Sequence, residues 1–170
     1  MTRKNEYELT LEIGLKLKDI LEKRGYKVFM VRETNNVNIS NKERVLMTNK
    51  VGCSVYIRLY ADSSESAKIN GVSMLTSSSR NPYTKNVQKS SEEFSKIVLS
   101  EYVKATGFNN RGILYRDDLT GTNWSTITNT LIEMRFLSNP EEDRKMSTPE
   151  FQNTMAEGIA NGIEKYLKNR

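Results

Sequence analysis

The chain contains no histidine. That absence removes the commonest biological zinc ligand and the commonest general base together. Cysteine is nearly absent as well: Cys53 stands alone among 170 residues, so no internal disulfide forms and nothing points to an oxidising compartment. No apolar run approaches the roughly 18 residues that a membrane span needs, and the opening MTRKNEYELT lacks the apolar core of a secretory signal. As written, the chain is expected in the cytoplasm with no membrane partner. No internal repeat, low-complexity tract or linker interrupts it, so residues 1–170 read as one domain.

What is present suits a real core: 36% of residues are hydrophobic and 28% are charged. The net charge of +5 would suit an anionic partner only if it were concentrated. It is interspersed with carboxylates, as in KLKDILEKRG and NPEEDRK, and no finger-like or RNP-like motif occurs. Nucleic acid is not expected as a partner.

The apolar spacing alternates between helix and strand periods. Leu9, Ile13, Leu17, Ile20 and Leu21 share one helical face, Leu11 and Leu15 form a smaller opposite stripe, and Gly25 ends the helix. YKVFMVR then reads as a strand, NNVNIS as a loop, and NKERVLMTNK as a helix capped by Ser40 or Asn41. SVYIRLYA alternates as a strand, with Val55, Ile57 and Leu59 on one side and Tyr56, Arg58 and Tyr60 on the other. Polar DSSESAKING leads to a strand at GVSMLTS, then a helix from about Asn86 to Lys104 with Val87, Phe94, Ile97, Val98 and Tyr102 inward. GILYR is a strand, DDLTGTNWS a loop and TLIEMRF a strand carrying Glu133. Ser147 and Glu150 have capping-box spacing around Pro149, and Phe151, Met155, Ile159, Ile163 and Leu167 mark the closing helix. This rhythm predicts an α/β fold: a mostly parallel twisted sheet with helices on both faces, its chemistry at the carboxyl ends of the strands, where Tyr60 and Glu133 fall.

Taken in order, ELTLEIGLKLKDILEKRGYKVFMVRET, NKERVLMTN, YIRLYADSS, NNRGI and LIEMRFLSNPEED before a long terminal helix resemble the zinc-dependent N-acetylmuramoyl-L-alanine amidases. FNNRGI, TNWSTI and FLSNPEED bring the resemblance closest to the clostridial and phage-like members. It implies an α/β peptidoglycan hydrolase, usually extracellular, with one zinc held by two histidines and a glutamate and a second glutamate as general base. Carried over, the ligand glutamate falls on Glu6 and the catalytic glutamate on Glu133. The second histidine falls on Tyr60, and the first has no counterpart, because the chain as written begins after the strand and turn that carry it in the family. Beside Glu133, the family's proline, an apolar residue and a glycine correspond to Thr128, Asn129 and Arg135.

A catalytic zinc needs three protein ligands and an open position, which Glu6 alone does not supply. The expectation is an amidase-family domain that holds no zinc and is inactive as a hydrolase, since without the metal nothing lowers the attacking water's pKa. Arg135 is read either as a cation standing in the charge position of the metal or as a solvent-reaching side chain. Tyr60 is expected to pack beside Tyr56, Glu6 to favour its helix dipole, and Cys53 to be a small buried hydrophobe. Trp124 suits a substrate-facing or a core position equally. Without the first strand, sheet edges need covering by a second copy or a protein partner. An active amidase completed by upstream parts and a regulatory or wall-binding module are the alternatives.

Overall fold

The computed structural model describes residues 5–62, 70–136 and 144–170, without the side chains of Asp62, Arg135 and Phe136. Its main elements are α1 (Glu6–Lys23), α2 (Asn41–Val51), β1 (Val55–Asp62), β2 (Val72–Thr76), α3 (Gln88–Thr106), β3 (Asn110–Tyr115), α4 (Thr120–Asn123), β4 (Thr128–Phe136) and α5 (Pro149–Lys168). No helix among the described residues is long and apolar enough to cross a membrane.

Local chemistry sets the helix ends. Asn5 and Glu8 form a capping box at α1, and Ser40 forms another with Glu43 at α2, its hydroxyl accepting from the Glu43 N–H at 3.2 Å. For α5 the cap lies one residue beyond the expected Ser147: the Thr148 hydroxyl accepts from the Phe151 N–H. Pro149 explains the shift, because it opens the helix at its first position and holds the residue before it extended. The segment expected to be a plain loop contains the short α4.

The sheet order is β1-β4-β2-β3. β1 and β4 run parallel, as do β2 and β3, but β2 meets β4 antiparallel, so the sheet is mixed. Two of the three pairings are parallel, as expected of a mostly parallel sheet, and the antiparallel one is a property of chain routing that strand periodicity does not encode. YKVFMVR is not a strand. It joins no ladder, and Tyr26, Val28 and Met30 are half-buried while Lys27 and Phe29 are exposed. Its end is tied instead to α1: Arg32 Nη2 donates to the Tyr7 carbonyl at 2.6 Å and Thr10 Oγ1 at 3.1 Å, and Lys18 pairs with Glu33 at 2.9 Å.

One face of the sheet is sealed by α1, α3 and α5. Leu9, Ile13, Phe94, Val98, Ile132, Met155 and Ile159 are in this core. Two α5 glycines let it approach α3 closely: a Cβ at Gly162 would stand 2.6 Å from Val98 Cα, and one at Gly158 3.0 Å from Tyr102 Cα. The opposite face of β1 looks towards α2 and α4, so helices do flank both faces.

Candidate functional site

The site is the carboxyl end of β1 and β4 together with the cleft beside β1. Parallel pairing sets Tyr60 level with Glu133, and antiparallel pairing sets Ser73 of β2 on the other side of Glu133. Glu6, in the first turn of α1, reaches the same end: its Oε1 accepts from the Ala61 N–H at 3.1 Å. The three positions singled out from the sequence for metal and proton chemistry therefore converge, and all line one cleft of about 820 Å³.

The other singled-out positions separate. Thr128 and Asn129 open β4, four to five residues before Glu133, roughly 13–16 Å at the usual strand rise. They serve the helix behind them: Thr128 Oγ1 donates to Ser90 Oγ at 2.8 Å, and the Asn129 N–H donates to Ser91 Oγ at 3.0 Å. The side chain of Arg135 lies outside the described residues. Cys53 is half-buried rather than buried, and burial pushes its thiol above the usual range. Trp124 is 47% exposed, with Lys42 Nζ 3.7 Å above its ring, so it does not anchor the core.

The residue that sequence reasoning missed is Arg58, between Tyr56 and Tyr60 on the face of β1 that looks towards α4. Its Nη2 donates to Thr122 Oγ1 at 2.6 Å and to Asn129 Oδ1 at 3.3 Å, while its buried Nε has no hydrogen-bond partner. Gly121 makes room for it: a Cβ there would stand 2.5 Å from Nη1. Burial lowers the Arg58 proton affinity, opposed by the neighbouring Tyr56 and Tyr60. Burial in turn raises the Tyr56 phenol, with Arg58 pulling the other way. The one available sequence signal was an arginine in the middle of an otherwise apolar strand.

The charges of Arg116 and Glu133 act on one another. Arg116 is fixed by Asp118, which accepts from Nε at 2.8 Å and from Nη2 at 2.7 Å. This two-point contact depresses the Asp118 carboxyl to about 2 and raises the Arg116 guanidinium.

The donor set does not fit the zinc that the resemblance implies. With no histidine in the chain, the described residues bring no three of His, Cys, Asp or Glu together at one point. The phenol of Tyr60 stands level with Glu133, and Glu6 is engaged by the Ala61 N–H.

The comparisons agree with the architecture. A family model described as N-acetylmuramoyl-L-alanine amidase (Amidase_3) matches residues 1–165. The AmiC amidase of Escherichia coli is 26% identical over 95% of this chain, which spans 47% of that protein. The catalytic domain of CwlV, an N-acetylmuramoyl-L-alanine amidase from Bacillus (Paenibacillus) polymyxa, superposes with a TM-score of 0.85 at 27% identity, covering 99% of this chain and 88% of that one. The fold is shared too with the CwlD amidase of Clostridioides difficile, solved in complex with the GerS lipoprotein: TM-score 0.83, 24% identity, 99% and 89% coverage. With a family model running almost end to end and a sheet that aligns Tyr60 with Glu133, the chain belongs to the N-acetylmuramoyl-L-alanine amidase family.

Proposed function

We propose that this domain keeps the peptidoglycan-amidase fold but does not assemble a catalytic zinc centre, and that it acts by binding. The observation that carries this reading is the convergence of Glu6, Tyr60 and Glu133 at the ends of β1 and β4, with a phenol at the position that the resemblance assigns to an imidazole. Glu133 retains a carboxylate that accepts a proton. What is missing from the reading is a partner set that generates the nucleophile, because a phenol and one engaged carboxylate do not make a three-ligand site.

The binding reading draws support from the cleft beside β1, which among the described residues ends the sheet, and from the related CwlD domain, which was solved with a protein bound. The ligand classes it suggests are peptidoglycan or a protein that completes the sheet. The same open edge also favours a second reading, a hydrolase completed by a further segment; that reading still leaves Tyr60 at the histidine position.

Elemental mass spectrometry of the purified protein after dialysis against low zinc tests the proposal. We expect far less than one zinc per chain and no loss of turbidity from a cell-wall suspension. One zinc per chain, with wall hydrolysis abolished by Glu133→Ala, would overturn it.

A further inference from the structure

The sheet has another end at β3, far from Glu133, and the free groups there can be counted. Among the described residues β3 pairs only with β2. The Arg116 N–H donates to the Thr76 carbonyl at 2.8 Å, which fixes the parity of the strand. Alternation then turns the N–H and C=O of Leu114 towards β2, and those of Ile113 and Tyr115 outwards. The register shift in the β2–β3 pairing lies before Ile113, so it does not disturb this count. Upstream the row ends at Gly112, where a φ of 84° breaks the extended backbone and the N–H turns back to Asn110 Oδ1 at 2.8 Å.

The side chains along this row are uncovered as well. Leu114 is 46% and Tyr115 49% exposed, although both sit inside a strand. Leu114 shares the face of its neighbour Leu75, while Ile113 packs on the core side and the Tyr115 hydroxyl donates to Glu92 Oε1 of α3 at 3.0 Å. No lysine or proline, the residues that commonly guard an exposed edge, stands among Ile113, Leu114 and Tyr115.

A row this short is self-complementary in one register. Set antiparallel to a copy of itself with Leu114 opposite Leu114, β3 brings Ile113 opposite Tyr115 on both sides of the axis, and every outward N–H and C=O of the two residues finds a partner. Moving the axis to Ile113 or to Tyr115 leaves half of those groups unmet. Leu114 then meets its own copy on one face, and Tyr115 meets Ile113 on the other, an aromatic against a β-branched side chain. The flanking positions agree: Gly112, where a Cβ would have nothing within 4 Å, falls opposite Arg116, and Arg111 falls towards the end that carries Asp117.

We infer that β3 is a homodimerisation edge, at which two copies pair β3 with β3 antiparallel about a two-fold axis through Leu114 and continue the sheet from one into the other. The contact is short, so the dimer is weak and forms in the range of about 10 µM to 1 mM. The axis stands perpendicular to the sheet, so the β4 ends that carry Glu133 lie away from the contact and point in opposite directions. A dimer therefore presents two sites instead of occluding one. The inference stands apart from the reading of the domain as a binding module.

Sedimentation velocity of the full chain from about 10 µM to 1 mM should show the passage from monomer to dimer. Leu114→Lys, which sets like charges at the axis on an already exposed side chain, should raise the dimer Kd at least about tenfold. Amide exchange at Ile113 and Tyr115 should slow as concentration rises, while Leu114, whose N–H faces β2, should not change. The register is read in a Cys53→Ser background: across the axis the Cα atoms at Leu114 stand about 4.5 Å apart, within disulfide reach, so Leu114→Cys should oxidise to a covalent dimer and Ile113→Cys should not. That pair also serves if Leu114→Lys folds poorly. A monomer across the whole range, an equally tight dimer in Leu114→Lys, exchange at Ile113 and Tyr115 that ignores concentration, or crosslinking by Ile113→Cys in place of Leu114→Cys would overturn the inference.

Discussion

β2 and β1 look alike in sequence and differ in fate. VSMLT is short, and all five residues are buried, with β4 on one side and β3 on the other. VYIRLYAD is longer and equally rich in β-forming residues, yet among the described residues it ends the sheet, and its central residues stay half-exposed. The same kind of strand is core in one place and rim in the other, because burial of a strand depends on what lies beside it. β1 is also where Glu6, Tyr60 and Glu133 collect, so a partly covered strand carries the positions of chemical interest.

The sharpest test of this contrast is a matched pair of truncations. Met74→Ala, in fully buried β2, should cost about 2–5 kcal/mol in urea unfolding, the range for emptying a large core side chain. Leu59→Ala, on half-exposed β1, should cost only about 1 kcal/mol, since part of its surface already meets solvent. Equal losses would mean that β1 is as covered as β2 and would remove the contrast.

Arg58→Met should go the other way. Replacing a half-buried cation whose Nε is buried without a hydrogen-bond partner by an apolar chain of similar reach should raise stability by roughly 1–3 kcal/mol, read as a higher unfolding midpoint. A net loss would show that the contacts to Thr122 and Asn129 outweigh the desolvation of the charge.

The smallest effect concerns Arg116, whose charge is already matched. A carboxyl depressed in the folded state contributes stability above its unfolded value near 3.8, and the contribution is lost as pH falls through about 2. An NMR titration should therefore place Asp118 at about 2, and Arg116→Met should return it towards 3.8. An unmoved midpoint in that variant would break the assignment of Asp118 as the partner that neutralises Arg116.

Much of the fold is legible in the residues alone. The period of Leu9, Ile13, Leu17 and Leu21 gives α1, and that of Met155, Ile159 and Ile163 gives α5, because a helix face needs only local spacing to be recognised. Glycine at the end of α1 is required by a positive φ of 87° at Gly25, again a local matter. The absence of histidine by itself excludes the two imidazole ligands that the resemblance implies. YKVFMVR shows where such reading stops: its β-rich composition is right for a strand, but a strand also needs a neighbour, and the segment is held by Arg32 on α1 instead.

The sequence by itself determined the helices, the strand alternation that sets Tyr56, Arg58 and Tyr60 on one face of β1, and the lack of imidazole chemistry, all of which depend on residue identity and short spacing. Only the tertiary structure decided that β2 runs antiparallel to β4, that Glu6 meets Ala61 from 55 positions away, that Thr128 and Asn129 stand apart from Glu133, and that the Nε of Arg58 is buried without a partner. These are long-range pairings. Their energies come from which surfaces the chain brings together, and no local pattern of residues records that choice.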